Sequence, residues 1–292
     1  MYGGLFLCWA AAYFHQMKSE SFLPLLLFPE KKLQASRLKA ALHGKTLLIT
    51  GASYGIGETL ALACAFEQTQ LILVARTKEK LLLVKEEIEQ KGGNAAIFAV
   101  DLRDEKQLGS LIDFLKKEEN AVDVFVNNAG KSIRRSVWNS LDRFHDVERT
   151  NALNYLTPVR LCLSLIPVLA KKKGQIINVS ALNVLLPPAP RWAAYQASKS
   201  AFDQWFRSVA PELKSQGIDC STAYLPLVRT RMIAPTKQYE KAPAMLPEQA
   251  ARVLARLIIS RKKCFRPWWM AVVEPLAFLL KRPLERWFEW RV

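Results

Sequence analysis

Two groups of residues in this chain could do chemistry together. Tyr195 and Lys199 stand four apart, so on a helix they share one face about one turn from each other. An ammonium beside a phenol favours the phenolate and draws its pKa down from the ordinary value of about 10. That suits a proton donor to a carbonyl oxygen receiving hydride. Far upstream, Gly51-Ala52-Ser53-Tyr54-Gly55-Ile56-Gly57 follows the apolar run Leu47-Leu48-Ile49 and precedes residues 58–63, which read as a helix start. Glycines let a backbone turn sharply and come close to a pyrophosphate, while the free N–H groups and positive dipole end of the helix receive its charge. A phosphate cradle joined to an acid catalyst predicts carbonyl–alcohol redox chemistry. The spacing Gly-x-x-x-Gly-x-Gly differs from the commoner Gly-x-Gly-x-x-Gly, so it matches that fingerprint in kind only.

Bringing residues 51–57 and 195–199 together requires a scaffold, and the chain has the pattern for one. Apolar runs such as Leu71-Ile72-Leu73-Val74-Ala75 and Ala96-Ile97-Phe98-Ala99-Val100 alternate with helical stretches at 80–90 and 105–117. That alternation predicts an α/β fold: a single Rossmann-like, doubly wound parallel sheet with helices on both faces. At 292 residues and 50% hydrophobic, the chain lies near the upper end for one core and has ample apolar material to fill it. There is no internal repeat and no low-complexity linker, which argues against a second independent domain. The expected division is an apolar N-terminal extension over 1–43, a catalytic domain over 44–260 and a basic, Trp-rich tail over 261–292.

With these motifs in this order, the stretch from about 44 to 260 resembles the short-chain dehydrogenase/reductase family. Asn127-Asn128-Ala129-Gly130, after the apolar run ending at Val126, is similar to the family's element closing the fourth strand beside the cofactor. Asp101-Leu102 resembles the pair that contacts adenine, and Pro226 with Val228 and Thr230 the segment that anchors the nicotinamide carboxamide. The resemblance implies Gly51, Ser53, Tyr54, Gly55, Ile56, Gly57, Asn128, Ala129 and Gly130 as cofactor contacts. It also implies Tyr195 as acid, Lys199 as the group that lowers the phenol's pKa and holds the nicotinamide ribose, and Asn151, in Arg149-Thr150-Asn151-Ala152, as support for a proton-relay water. Two departures stand out. Leu227 replaces the usual Gly after Pro226. The polarising Ser expected at the end of the fifth strand falls on Ala181 within Ile176-Ile177-Asn178-Val179-Ser180-Ala181, unless an extra residue at Pro187-Pro188 shifts the register to present Ser180.

Charge indicates the form of the cofactor. A fold of this kind that selects NAD places a carboxylate about 20 residues past the glycine turn, on the ribose 2′-hydroxyl. Here the second strand ends at Arg76, followed by Lys78 and Lys80. A guanidinium can fork onto a 2′-phosphate, so NADP(H) is expected rather than NAD(H). The segment 226–236, reading Pro-Leu-Val-Arg-Thr-Arg-Met-Ile-Ala-Pro-Thr, resembles that of reductase domains in bacterial fatty acyl-CoA and fatty aldehyde reductases, where Leu also follows the Pro. This implies a hydrophobic, long-chain substrate, for which the adaptable Met and Ile side chains over 231–247 would form a pocket.

The chain carries a formal net charge of +16, which calls for a partner or a location. No nucleic-acid recognition motif accompanies the charge. Residues 261–292 instead mix bases with Trp268, Trp269, Trp287 and Trp290. Indole rings favour the lipid headgroup zone and bases favour anionic lipid, so this tail is expected at a membrane surface. Residues 1–17 lack Lys, Arg, Asp and Glu, and 21–28 are strongly apolar, but Lys18 and Glu20 divide the two stretches. Neither reaches the ~20 residues of a spanning helix, and no basic region precedes them as in a cleaved signal peptide. The expected location is therefore the cytoplasmic side of a membrane, peripheral or monotopic, and otherwise the cytoplasm. The five cysteines are scattered, which fits a reducing compartment, and the three histidines form no cluster, so no metal site is expected. The family resemblance also implies pairing through helix faces, hence a homodimer. Two other readings remain open: a non-catalytic nucleotide-binding or membrane scaffold, and a serine hydrolase through Ser53 in Gly51-x-Ser53-x-Gly55, against which the position of the last histidine, His145, argues.

Overall fold

The computed structural model describes residues 26–29, 32–234, 236, 239 and 241–291. The expectations placed on 1–25, on Pro235, Lys237 and Gln238, and on the side chain of Trp290 lie outside these residues. The chain runs α1 (Ala35–Leu42), β1 (Lys45–Thr50), α2 (Gly55–Ala63), β2 (Thr69–Ala75), α3 (Lys78–Gln90), β3 (Asn94–Ala99), α4 (Glu105–Leu115), β4 (Val124–Asn127), α5 (Phe144–Asn151), α6 (Thr157–Lys172), β5 (Gln175–Ala181), α7 (Ala193–Ser215), β6 (Asp219–Leu225), α8 (Pro247–Ser260), β7 (Cys264–Phe265), α9 (Met270–Leu279) and α10 (Lys281–Arg291).

The seven strands form one parallel sheet in the order β3-β2-β1-β4-β5-β6-β7. From β1 the chain moves outward through β2 and β3, then returns to place β4 on the other side of β1. The order reverses there, and in open α/β sheets the crevice at such a reversal, beyond the carboxyl ends of the strands, is where ligands bind. Thr50 and Asn127 end the two strands flanking it.

The strands are apolar on both faces because both are covered. Leu47, Ile49, Leu71, Leu73, Val124, Val126, Ile177 and Val179 pack with α1, α2, α3 and α8. Their alternates Leu48, Ile72, Val74, Phe125 and Ile176 pack with α4, α6 and α7. This period of two, with both sets buried, accounts for runs that show no polar alternation in the sequence. Leu38 and Leu42 of α1 are fully buried, so the last helix before β1 is part of the core, and β7 extends the sheet beyond residue 260.

Helices α5 and α6 are joined by a π-helical turn over Ala152–Leu156 into one continuous helix, Phe144–Lys172. It is long and apolar enough by composition to cross a bilayer, but Leu161, Cys162, Leu165 and Leu169 are buried against the sheet. Its apolar content serves the core. A satellite cluster of Leu182, Tyr224 and Met270 seats the start of α9.

Candidate active site

The glycine turn is as tight as its sequence implies. Gly51 and Gly55 have φ of +68° and +60°, a left-handed conformation that favours glycine. A Cβ at Gly57 would lie 2.4 Å from the Gly51 carbonyl oxygen, and one at Gly55 would lie 2.8 Å from Thr230 Cγ2. Thr230 therefore sits against the turn, although 175 residues separate it from Gly55 in sequence. Asn128 holds the turn to β4: its Nδ2 donates to the carbonyl oxygens of Thr50 (2.9 Å) and Gly51 (3.2 Å). In return the N–H groups of Asn128 and Ala129 donate to Thr50 Oγ1 at 3.0 and 3.1 Å. Ser53 is buried, and the Arg231 guanidinium lies 3.5 Å from the centre of the Tyr54 ring.

At the outer edge of the crevice the charge is positive. Arg76 is exposed at the end of β2, as expected. Arg103 forks onto Asp101, with Nε donating at 3.0 Å to one oxygen and a terminal nitrogen at 2.6 Å to the other. This bonding, with Arg76 nearby, holds the Asp101 carboxyl below the usual carboxylate range. Burial lowers the Lys131 ammonium, and Arg103, Arg149 and Arg76 push it the same way, so these cations share one neighbourhood. Arg103 and Lys131 were missed in the sequence although each directly follows a motif residue, Leu102 and Gly130. Leu102 is buried and its carbonyl accepts from Thr157 Oγ1 at 2.7 Å.

Tyr195 and Lys199 lie on the first two turns of α7. Lys199 is buried, and its Nζ donates to the Val179 carbonyl of β5 at 3.0 Å. Burial lowers its pKa to about 8. The expectation that this ammonium draws down the Tyr195 pKa is corrected here: burial, helped by Tyr239, pushes the hydroxyl up to about 12. Desolvation disfavours the phenolate, so the phenol is held as a neutral acid. Trp192 meets the Tyr195 ring edge-on at 5.8 Å and stacks on Tyr239 at 6.0 Å, forming an aromatic wall beside the hydroxyl-bearing residue.

The asparagine brought to Lys199 is Asn154 rather than Asn151. Asn154 lies in the π-helical turn and is 1% exposed. Its Oδ1 accepts from the Lys131 N–H at 2.8 Å, and its Nδ2 donates to the Lys131 carbonyl at 2.9 Å and to Ser198 Oγ at 3.0 Å. Ser198 Oγ in turn donates to the Tyr195 carbonyl at 2.9 Å. A Cβ at Gly130 would lie 3.3 Å from Asn154 Oδ1 and 3.5 Å from Lys199 Nζ, so the three residues converge. Asn151 ends α5, half-buried and outside this network. The sequence held a signal for this. Pro158 has no N–H to give the carbonyl four residues earlier, which is that of Asn154, so one bond of a regular α-helix is missing there. π-Turns inside helices are frequent at functional sites.

Ser180 pairs in register with Tyr224, on the face of β5 opposite to Ile177 and Val179. It is buried, and its Oγ has no hydrogen-bond partner. Ala181 ends the strand beside it. The loop that holds Pro187 and Pro188 is ordered by Gln196, which accepts from the Ala189 N–H at 3.1 Å and donates to the carbonyls of Asn183 (2.5 Å) and Leu186 (3.3 Å). Gln196, next to Tyr195, is a positioning residue that the sequence reading overlooked. Val228 and Met245 form a bridge that closes the segment after β6. Met245 was expected in the substrate pocket, but at 4% exposure it packs in the core with α8. Met232 is exposed. Ser53 has no histidine among its described contacts; His145 lies on α5 beside Asp146, at 3.5 Å.

The site's parts fit a dinucleotide. The turn can be this tight only while its glycines lack Cβ atoms, its backbone N–H groups at the start of α2 suit a pyrophosphate, and the cations beyond β2 match a 2′-phosphate. Residues 45–241 match the family model described as short chain dehydrogenase. A fatty acyl-CoA reductase of Acinetobacter baylyi is 47% identical over 234 residues, covering 80% of this chain and 79% of that protein. Among solved structures, a short-chain dehydrogenase from Sphingobium yanoikuyae in complex with NADPH superposes with a TM-score of 0.71 at 23% identity, covering 81% of this chain and 95% of that one. A metagenomic short-chain oxidoreductase in complex with NADP gives 0.65 at 29% identity, covering 75% and 92%.

Proposed function

Because the chain belongs to the short chain dehydrogenase family, we propose that it is an NADP(H)-dependent oxidoreductase acting on the carbonyl of a long-chain, lipid-like substrate: a fatty aldehyde, acyl thioester or ketone. The observation that carries this reading is the convergence of Lys199, Gly130 and Asn154 beside the glycine turn, with Tyr195 one turn before Lys199 on α7. The fatty acyl-CoA reductase relative supports the substrate class. The NADP-bound oxidoreductase at 29% identity and the cluster of Arg76, Arg103 and Lys131 support the cofactor.

NADPH, when bound, supplies the hydride. The chain's own residues do the rest. Gly51, Ser53, Tyr54, Gly55, Ile56 and Gly57 with Thr230 hold the pyrophosphate end; Arg76 and Arg103 receive the 2′-phosphate, with Asp101 and Leu102 beside the adenine. Asn128, Ala129, Gly130 and Val228 line the remainder. Tyr195 gives its phenolic proton to the oxygen of the carbonyl being reduced, and its hydroxyl is protonated at neutral pH. Lys199, fixed by Val179, orients the ribose and supplies positive charge next to the phenol. Asn154 takes the relay role that the sequence assigned to Asn151, because it alone of the two reaches the Lys131–Ser198 network. Ser180 is the candidate polarising hydroxyl, on the strength of its unpartnered Oγ. Trp192 and Tyr239 form an apolar wall that an alkyl chain would lie against.

The reading includes peripheral attachment to a membrane. Trp268 Nε1 donates to the Leu26 carbonyl at 3.1 Å, tying the described N-terminal residues to the C-terminal tail. Leu26, Trp268, Val272, Phe278 and Leu279 are exposed together with Lys281, Arg282 and Arg286 of α10. Aromatic and aliphatic side chains interleaved with bases suit an anionic bilayer surface.

The test is a series of saturated aldehydes and acyl-CoA thioesters of increasing chain length, with NADPH or NADH, followed by loss of nicotinamide absorbance. A kcat/KM that rises with chain length and favours NADPH is expected. Equal turnover of short polar carbonyls would overturn the substrate class, and preference for NADH the cofactor.

A further inference from the structure

Away from the reaction site, a cavity of about 570 Å³ opens between the described N-terminal residues, α8 and the segment around β7. Its volume is that of a ligand site rather than of a packing defect. It lies on the α8 face of the sheet, whereas Tyr195 and Lys199 are on α7 across the sheet. The lining divides into two chemistries. Leu27, Phe28, Leu33 and Phe265 make an apolar floor, and Trp268 stands at its exposed edge. Lys32, Arg37, Arg252, Arg256, Lys262 and Arg266 bring six cations, while none of the described lining residues is Asp or Glu.

These cations are not all neutralised by each other's surroundings. Arg266 is paired with Glu274 at 2.6 Å, and Arg252 has a partner of its own. Arg256 instead turns its Nε onto the Arg252 carbonyl at 3.2 Å. Burial lowers its pKa, and the neighbouring Arg252 charge adds to that. Six cations around an apolar floor suit a phosphate, which accepts guanidinium donors in a fork. The ligand must also cover the apolar floor, which inorganic phosphate or a sugar phosphate would leave wet.

We propose that this groove holds the headgroup phosphate and adjoining carbons of an anionic phospholipid drawn from the bilayer. The proposal rests on the membrane attachment proposed above and makes it lipid-selective. Trp268 belongs both to the groove and to the exposed apolar face, so a headgroup seated among Arg37, Arg256 and Lys262 leaves its chains on the side where Val272 and Phe278 meet the membrane.

The test uses the full chain with vesicles of phosphatidylcholine alone or mixed with phosphatidylglycerol, read by co-sedimentation. The variants are Lys32→Glu/Arg37→Glu, which changes exposed side chains, and Arg256→Gln, checked for folding by its melting curve. Lys116→Glu/Lys117→Glu, exposed past α4, is the control for charge alone. The wild type should prefer the anionic vesicles, and the groove double variant should bind them about tenfold or more weakly. The control should lose much less, and NADPH turnover should not change in any variant. Equal losses in groove and control variants would overturn the proposal while leaving membrane attachment standing, as would equal binding of the wild type to both vesicle types. Failure of the wild type to bind any vesicle would sink the attachment and the groove together. Thermal stabilisation by inorganic phosphate as large as that by anionic vesicles would overturn the lipid assignment.

Discussion

Replacing Asn154 by Ala removes the side chain that satisfies both the N–H and the carbonyl of Lys131 and touches Ser198 Oγ. Each partly buried backbone group left without a partner costs about 1–3 kcal/mol, and these two lie toward the lower half of that range. Ser198 keeps its bond to the Tyr195 carbonyl. The sum is about 3 kcal/mol, which for a chain of this size lowers the melting temperature by about 5–10 °C. Catalysis should suffer more than stability. Through Lys131 and Ser198 the same amide ties the end of β4 to the first turn of α7, and a misplacement of about 1 Å at a reacting group costs about a hundredfold. Asn151→Ala should fall within about 1 kcal/mol of the parent, as a half-buried side chain outside the network does. The assays are a melting curve and steady-state NADPH oxidation on each variant at a temperature where both are folded. If Asn151→Ala abolished turnover while Asn154→Ala remained active, the assignment of the relay to the π-turn would be wrong.

Arg76→Glu should weaken NADPH binding by about 10- to 100-fold, the worth of a charge-assisted pair to phosphate, and improve NADH; isothermal titration with both nucleotides checks it, and an unchanged NADPH affinity would remove Arg76 from the site. Lys199 has a native pKa of about 8, below its ordinary 10.5. The unfolded chain therefore binds the extra proton between these values, so its contribution to stability is least below pH 8 and rises up to about 10.5. Chemical denaturation across that window should show the rise in the parent and its loss in Lys199→Met. Ser180→Ala should lower kcat by about a hundredfold if its Oγ polarises the carbonyl; unchanged kcat would leave that role empty, and Ala181→Ser would then be expected to raise it.

Much of the fold was legible in the sequence, and its failures have physical causes. Parallel strands covered on both faces read as continuous apolar runs, so β1, β2 and β5 announced themselves, and the helices between them fixed the winding. The glycine turn was legible because only glycine fits where Gly57 meets the Gly51 carbonyl. Asn154 was hidden because the residue facing Lys199 depends on one extra residue in a helical turn, which an assumed period of 3.6 does not show; Pro158 was the overlooked clue. Met245 reads equally well as pocket or core, and only the bridge to Val228 turns it inward. The direction of the Tyr195 pKa is not legible in spacing, which reports the ammonium four residues away but not the burial that pushes the hydroxyl up. The cations of the groove were visible as net charge; their meeting with Leu27 and Phe28 depends on a contact between residues 242 apart.

The central claim is that Tyr195 is the proton donor at a site that binds NADPH. The most direct measurement pairs NADPH affinity with the single-turnover rate of NADPH oxidation by a long-chain aldehyde, in the parent and in Tyr195→Phe. Affinity held while the rate drops by about a hundredfold or more is the predicted outcome. A Tyr195→Phe protein that oxidises NADPH at the parental rate would contradict it.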